Sequence, residues 1–315
     1  MAHTVAAGSP VVASADPSGP AHMWTAFHPD PVGIALVVAG AAGYAYGVTA
    51  LRRRGADWPV RRTVMFLGPG LLSLLVFTMC WPGAYAHTLF SAYLVEMVGL
   101  FMVTPVLIAC GRPGTLARMV APARWGAATD RVTGSRPAQV LTSPVLGALL
   151  VPVVTSAVVF SGILGESLRH DPLYHLVQVL LVALGLFIAA PLVADPGRMT
   201  GLAAATALFL GFLELLLDSI PGALLTFRTH LLAAGYYLAE HRAWGPTPLH
   251  DQHTGGAILW GVGEIVDLPF IAILLVRWKQ ADEREAKEVD RLLDEAQAAS
   301  GSPMMRPWWE TDPPR

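Results

Sequence analysis

The stretch Ala92–Cys110 reads AYLVEMVGLFMVTPVLIAC, an apolar run interrupted by a single carboxylate, Glu96. A bilayer core of roughly 30 Å needs about 20 consecutive apolar residues when crossed by a helix, and this run is of that order. Hydrocarbon offers no outside partner to backbone N–H and C=O groups, so the segment must satisfy them internally, as an α-helix. A carboxylate at that depth costs roughly 2.5–3.5 kcal/mol on insertion scales, so Glu96 is expected to face the bundle interior and to mark a functional place.

Six further stretches have the same character: Val32–Leu51, Val64–Cys80, Val145–Ile163, Leu176–Val193, Leu202–Leu225 and Ala257–Val276. The whole chain of 315 residues is 54% hydrophobic and 14% charged, with mean hydropathy +0.51. A soluble domain carries nearer a quarter charged residues. The expected fold is therefore an all-α integral membrane protein, a bundle of seven transmembrane helices over residues 32–278 in contact with the lipid bilayer. Residues 1–31, rich in Ala, Ser, Pro and Gly, read as an external arm, with neither the basic region nor the apolar run of a cleaved signal. Residues 279–315 read as a soluble charged tail whose mixed signs suit a solvated helix. The two cysteines, Cys80 and Cys110, form no paired motif.

Basic residues in short loops stay on the cytoplasmic side. Arg52, Arg53, Arg54, Arg61 and Arg62 fill the first loop, and Arg112, Arg118, Arg124, Arg131 and Arg136 the third. With seven spans, this sets the N-terminus outside and the C-terminus in the cytoplasm. All ten histidines then fall on the external face: His3, His22 and His28 on the arm, and His87, His170, His175, His230, His241, His250 and His253 in the loops. Imidazole is the commonest metal-ligating side chain, so that segregation points to metal handling outside. His87, Glu96 and Met97 gather at the outer end of the third span, with His175 and Gln178 at that of the fifth. His250, Asp251 and His253 precede the last. Thioethers select Cu(I), which makes copper the expected metal for these seven candidate ligands: His87, Glu96, Met97, His175, His250, Asp251 and His253.

Particular motifs carry a resemblance. Tyr44–Ala45–Tyr46–Gly47–Val48, Leu51–Arg52–Arg53–Arg54–Gly55, Trp58–Pro59, Phe90–Ser91–Ala92, Thr104–Pro105, Gly111–Arg112–Pro113, Asp195–Pro196 and above all Pro248–Leu249–His250–Asp251–Gln252 with Gly255–Gly256 and Trp260 resemble the CtaG-like assembly factors of haem-copper cytochrome c oxidase. The likeness runs from about Gly40 to Asp294. It implies a non-catalytic role in maturing the oxidase, with its subunits as partners and copper delivery or insertion at the outer face of the bacterial plasma membrane. The chain departs from the family at Tyr93 and Met97, where members carry a histidine pair, and at Val179, the partner of His175 in a second pair. Such departures imply either a site of altered composition or copper binding that has lapsed, with the protein acting as a scaffold.

A different reading makes the chain a copper or other cation transporter, with Glu214 and Asp218 of the sixth span and Glu264 and Asp267 of the seventh as a polar seam. Their spacings of four and three residues set each pair on one helical face. No P-loop, dinucleotide fingerprint or nucleophile motif suggests an enzyme. The arginine-rich loops are accounted for by topology, so nucleic acid is not an expected partner.

Overall fold

The computed structural model describes residues 25–121, 144–193 and 201–300. Expectations resting on His3, His22, Arg124, Arg131, Arg136 and residues 301–315 lie outside the described residues, as does the side chain of Asp267. Regular structure among the described residues is helical throughout: α1 (Pro31–Arg53), α2 (Val60–Tyr85), α3 (Phe90–Cys110), α4 (Pro113–Val120), α5 (Pro144–Phe160), α6 (Ile163–Arg169), α7 (Asp171–Val193), α8 (Gly201–Phe227), α9 (Ala234–Tyr237) and α10 (Pro248–Ser300). Five of these are long and apolar enough to cross a membrane, and α5 with α6 makes a bent sixth candidate. The expected seventh, Ala257–Val276, lies within the uninterrupted helix α10.

The fourth stretch differs from its expected form. Phe160 ends α5, Gly162 adopts φ +88°, and α6 leaves at 59° to the preceding axis. A left-handed backbone is open to glycine at little cost. The segment expected as a loop, Leu164–His175, is consequently mostly helical, and α7 begins at Asp171, ahead of Pro172 in its first turn. Likewise α2 starts at Val60, directly after Pro59, a residue suited to a helix start and not to its interior.

Two π-helical turns shape the spans that carry the site: Phe66–Gly70 in α2, which contains Pro69, and Gly99–Val103 in α3, followed by Pro105. Proline has no N–H to offer the carbonyl four residues back. For Pro105 that carbonyl is Phe101, and it is met by α7: a Cβ on Gly185 would lie 2.1 Å from the Phe101 oxygen. On the other side of α3, a Cβ on Gly99 would lie 2.1 Å from the Phe77 ring. Close approach over glycines is how membrane helices gain packing when hydrophobic exclusion drives nothing. The core runs through Phe90, Leu94, Leu100, Leu164, Leu181 and Leu225, while Val38, Leu72 and Leu216 are exposed and suited to lipid.

The arginine-bearing end is knotted by the first of the motifs. Tyr44 donates from its hydroxyl to the Gly111 carbonyl at 2.9 Å and accepts from Trp58 Nε1 at 3.0 Å. Its ring stacks on Phe66 with centroids 4.1 Å apart. Removing the hydroxyl in Tyr44→Phe deprives two buried groups of a partner, and a loss of about 1–2 kcal/mol is expected, read as a lower melting temperature of the detergent-purified protein.

Two compact units divide the chain, one within Met1–Asp195 and Leu210–Phe270, the other within Pro196–Phe209 and Ile271–Arg315. In the second, the Gly201 N–H donates to Glu285 Oε1 at 2.6 Å. Lys279–Glu283 and Arg291–Glu295 form exposed ion pairs one turn apart, the pattern expected of a solvated helix. The site lies in the first.

Candidate functional site

Asp30 precedes Pro31, and an acidic N-cap followed by proline starts a helix cleanly. Its carboxylate accepts from the N–H groups of Val32 and Gly33 at 3.1 and 2.8 Å. The same buried carboxylate lies 3.6 Å from His175 Nδ1 on α7. Nδ1–H of His175 donates to Gln178 Oε1 at 3.0 Å, and Gln178 Nε2 donates to Glu96 Oε1 at 2.7 Å. The other oxygen of Glu96 accepts from the Tyr174 hydroxyl. Glu96 is 2% exposed, and both its oxygens are satisfied from α7. Spacing of one helical turn puts Tyr174 and Gln178 on one face of α7, which is why a single carboxylate on α3 engages both.

His87, in the short link between α2 and α3, closes the cluster. Its ring lies 4.6 Å from that of Tyr174, and its Nδ1 is 3.4 Å from the Tyr236 hydroxyl. Burial above all, with His28 and His175 nearby, lowers the His87 pKa, against the opposing pull of Asp171 and a hydrogen bond with the Leu168 backbone. Burial pushes Tyr236 up to about 12, so the phenol keeps its proton and donates to a neutral imidazole. His87 is thus engaged at Nδ1, and His175 is likewise engaged at Nδ1 while its side chain stays 26% exposed.

The depressed pKa has a sign. Below the ordinary value of 6.5 the unfolded chain takes up a proton at this residue that the folded one resists, so stability falls as pH drops through that value. A melting curve is expected to shift down between pH 7.5 and 5.5, and less so in His87→Phe, which keeps the ring packing. Equal shifts would remove His87 as the cause.

The remaining candidates have other surroundings. Met97 is buried in the core between α3 and its neighbours. Tyr93, at the other family histidine position, reaches Ser167 Oγ at 3.3 Å. Tyr93, Glu96, Met97, Tyr174 and Gln178 enclose a space of about 10 Å³, which is near the least that one water requires. Asp251, on the first turn of α10, accepts from the Phe90 N–H at 2.7 Å and the Ser91 hydroxyl at 2.6 Å, with Arg242 3.7 Å away. It caps α3 from the far end of the sequence. Gln252 holds the preceding loop, accepting from Leu232 N–H at 2.7 Å and donating to the His230 carbonyl at 3.2 Å. His253 is half-buried and engages the Arg228 carbonyl at 2.8 Å through Nε2, and His250 is exposed on the first turn of α10. Among the described residues, no three His, Cys, Asp or Glu side chains are grouped so as to hold a metal ion.

Of the carboxylates expected to form a seam, Asp218 is buried on α8, while Glu264 is exposed on α10 and accepts from Trp260 Nε1 at 2.6 Å. Residues the sequence reading passed over are Asp30, Tyr174 and Tyr236. The Asp30–Pro31 step before an apolar run was the available signal for the first. Tyr174 gave none beyond its place beside His175.

Fold and site together define a helical, multi-pass membrane protein whose buried carboxylate is hydrogen-bonded beneath a histidine-bearing rim. The chain belongs to the cytochrome c oxidase caa3 assembly factor family, CtaG, which matches residues 42–281. It is similar to proteins of Mycobacterium bovis and Mycobacterium tuberculosis, each described as uncharacterized and 30% identical over 278 residues. One of Mycobacterium leprae is 28% identical over 280 residues. These alignments cover 84–85% of this chain and 40–41% of the relatives, so the chain spans about two-fifths of their length. No solved structure matches.

Proposed function

We propose that the chain is a non-catalytic assembly factor for haem-copper cytochrome c oxidase in the bacterial plasma membrane, acting on oxidase subunits from its histidine-bearing end. Seven spans, with Ala257–Val276 the seventh and the N-terminus outside, put that end at the external surface. The observation that carries the reading is the chain Asp30–His175–Gln178–Glu96–Tyr174–His87, which joins α1, α3, α7 and the α2–α3 link. Hydrogen bonds on every member fix the rim in one arrangement, as a docking surface for a partner subunit requires.

A resident copper ion does not fit the residues present. Glu96 has both oxygens satisfied, Met97 is buried, and the space beside them is about 10 Å³. Copper suits this reading as cargo, met at the rim by the half-buried imidazoles of His175 and His253 and by exposed His250. Deletion of the gene in its native host is expected to lower assembled oxidase, measured from reduced-minus-oxidised membrane spectra and from oxidase copper content. Unchanged spectra and copper, with no homologue expressed in compensation, would exclude the role.

A further inference from the structure

Retention of arginines on one side of a membrane requires their charge and no particular architecture. At the arginine-bearing end they are nevertheless put to distinct uses. Arg54 is consumed in the fold, donating to the Met119 and Val120 carbonyls at 3.1 and 2.9 Å and so closing the C-terminus of α4. Arg61, Arg62 and Arg112 line a single recess of about 390 Å³ with Pro59, Met65 and Cys110, at the start of α2 and the end of α3. Arg62 is held in place over the Trp58 ring, 5.0 Å from its centroid. Arg112 sits at φ +52°, where the chain turns from α3 into α4.

No acidic side chain lines this recess; Asp57 lines a neighbouring one with Arg52 and Trp58. Guanidinium groups match phosphate oxygens in geometry and bind them as charged, directional donors. Depth selects the source of the phosphate. One turn along α2 from Arg61 and Arg62, the wall becomes Met65, and the exposed neighbours Val64 and Leu67 suit hydrocarbon. The recess therefore sits where charged headgroups give way to acyl chains, and basic pockets between spans at that level are suited to anionic headgroups. We infer that Arg61, Arg62 and Arg112 form a binding site for the phosphate of an anionic phospholipid.

The test uses the full chain in detergent, titrated with short-chain phosphatidylglycerol, short-chain phosphatidylcholine or inorganic phosphate and read by native mass spectrometry. Phosphatidylglycerol is expected to bind about tenfold more tightly than phosphatidylcholine, and to lose about that factor when the three arginines become glutamine. R53Q/R118Q, whose side chains lie outside the recess, is expected to retain wild-type binding. The single variant R61Q, at an exposed position, carries the test if the triple variant fails to fold, and a reduced phosphatidylglycerol affinity is expected of it. Equal affinity in the recess variants and in R53Q/R118Q would overturn the inference, as would displacement of phosphatidylglycerol by an equal concentration of inorganic phosphate.

Discussion

Asp251→Ala is expected to leave little folded protein in the membrane. The carboxylate is 2% exposed and accepts from the first N–H of α3 and from Ser91 while standing 3.7 Å from a buried Arg242. Truncation removes a helix cap, worth about 1 kcal/mol, and leaves the buried Arg242 guanidinium with carbonyl partners, Thr88 and Pro246, but without its counter-charge. Breaking one partner out of such a pair costs about 3–5 kcal/mol. The loss is transmitted to the site, because α3 carries Glu96 and Tyr93 within its first two turns. Asp251→Asn keeps an acceptor for the Phe90 N–H and is expected to lie between wild type and alanine. Quantitative immunoblotting of membranes, with thermal melts of whatever can be purified, gives the order. Wild-type accumulation of the alanine variant would show that α3 needs no such tether.

Glu96→Leu is expected to be the second most damaging change. Shape is roughly kept, but the Tyr174 hydroxyl and the Gln178 amide lose their acceptor in a space without room for more than one water. A buried donor left unpaired costs about 1–3 kcal/mol, so two bring the total to about 2–4 kcal/mol once relaxation within the membrane is allowed for. Glu96→Gln is expected to recover most of this, since its carbonyl accepts from one neighbour and its amide donates to a hydroxyl that can reverse. A leucine variant as stable as wild type would mean that the network is an accessory to the packing.

The membrane fold was legible because it rests on length and apolarity, which a single segment such as Ala92–Cys110 displays. What escaped is what depends on backbone conformation. Gly162 sits in an apolar surrounding where a glycine reads as a packing residue, and nothing local announces φ +88°. The carbonyl of Phe101 facing Gly185 follows from Pro105 and a π turn together, a conjunction visible only in three dimensions.

The site was legible in part for the same reason. His87, Glu96 and His175 stand out as polar groups in or beside apolar spans. Asp30 did not, because a cap residue satisfies local expectations and its second role depends on a helix far along the chain. Asp251 was read beside His250 and His253 as a ligand, since spacing shows sequence neighbours; its contact, Ser91, is 160 residues distant. The most specific family motif thus holds the architecture together, tying the start of α10 to the start of α3.

The role of that rim is tested most directly by complementation of a deletion strain with His175→Phe, at membrane levels matched to wild type. A ring of similar size persists while both imidazole nitrogens are lost, Nδ1 with its Gln178 hydrogen bond included. The account predicts that reduced-minus-oxidised spectra show the wild-type gene restoring cytochrome c oxidase and the variant restoring well under half as much. Full restoration by the variant would contradict it.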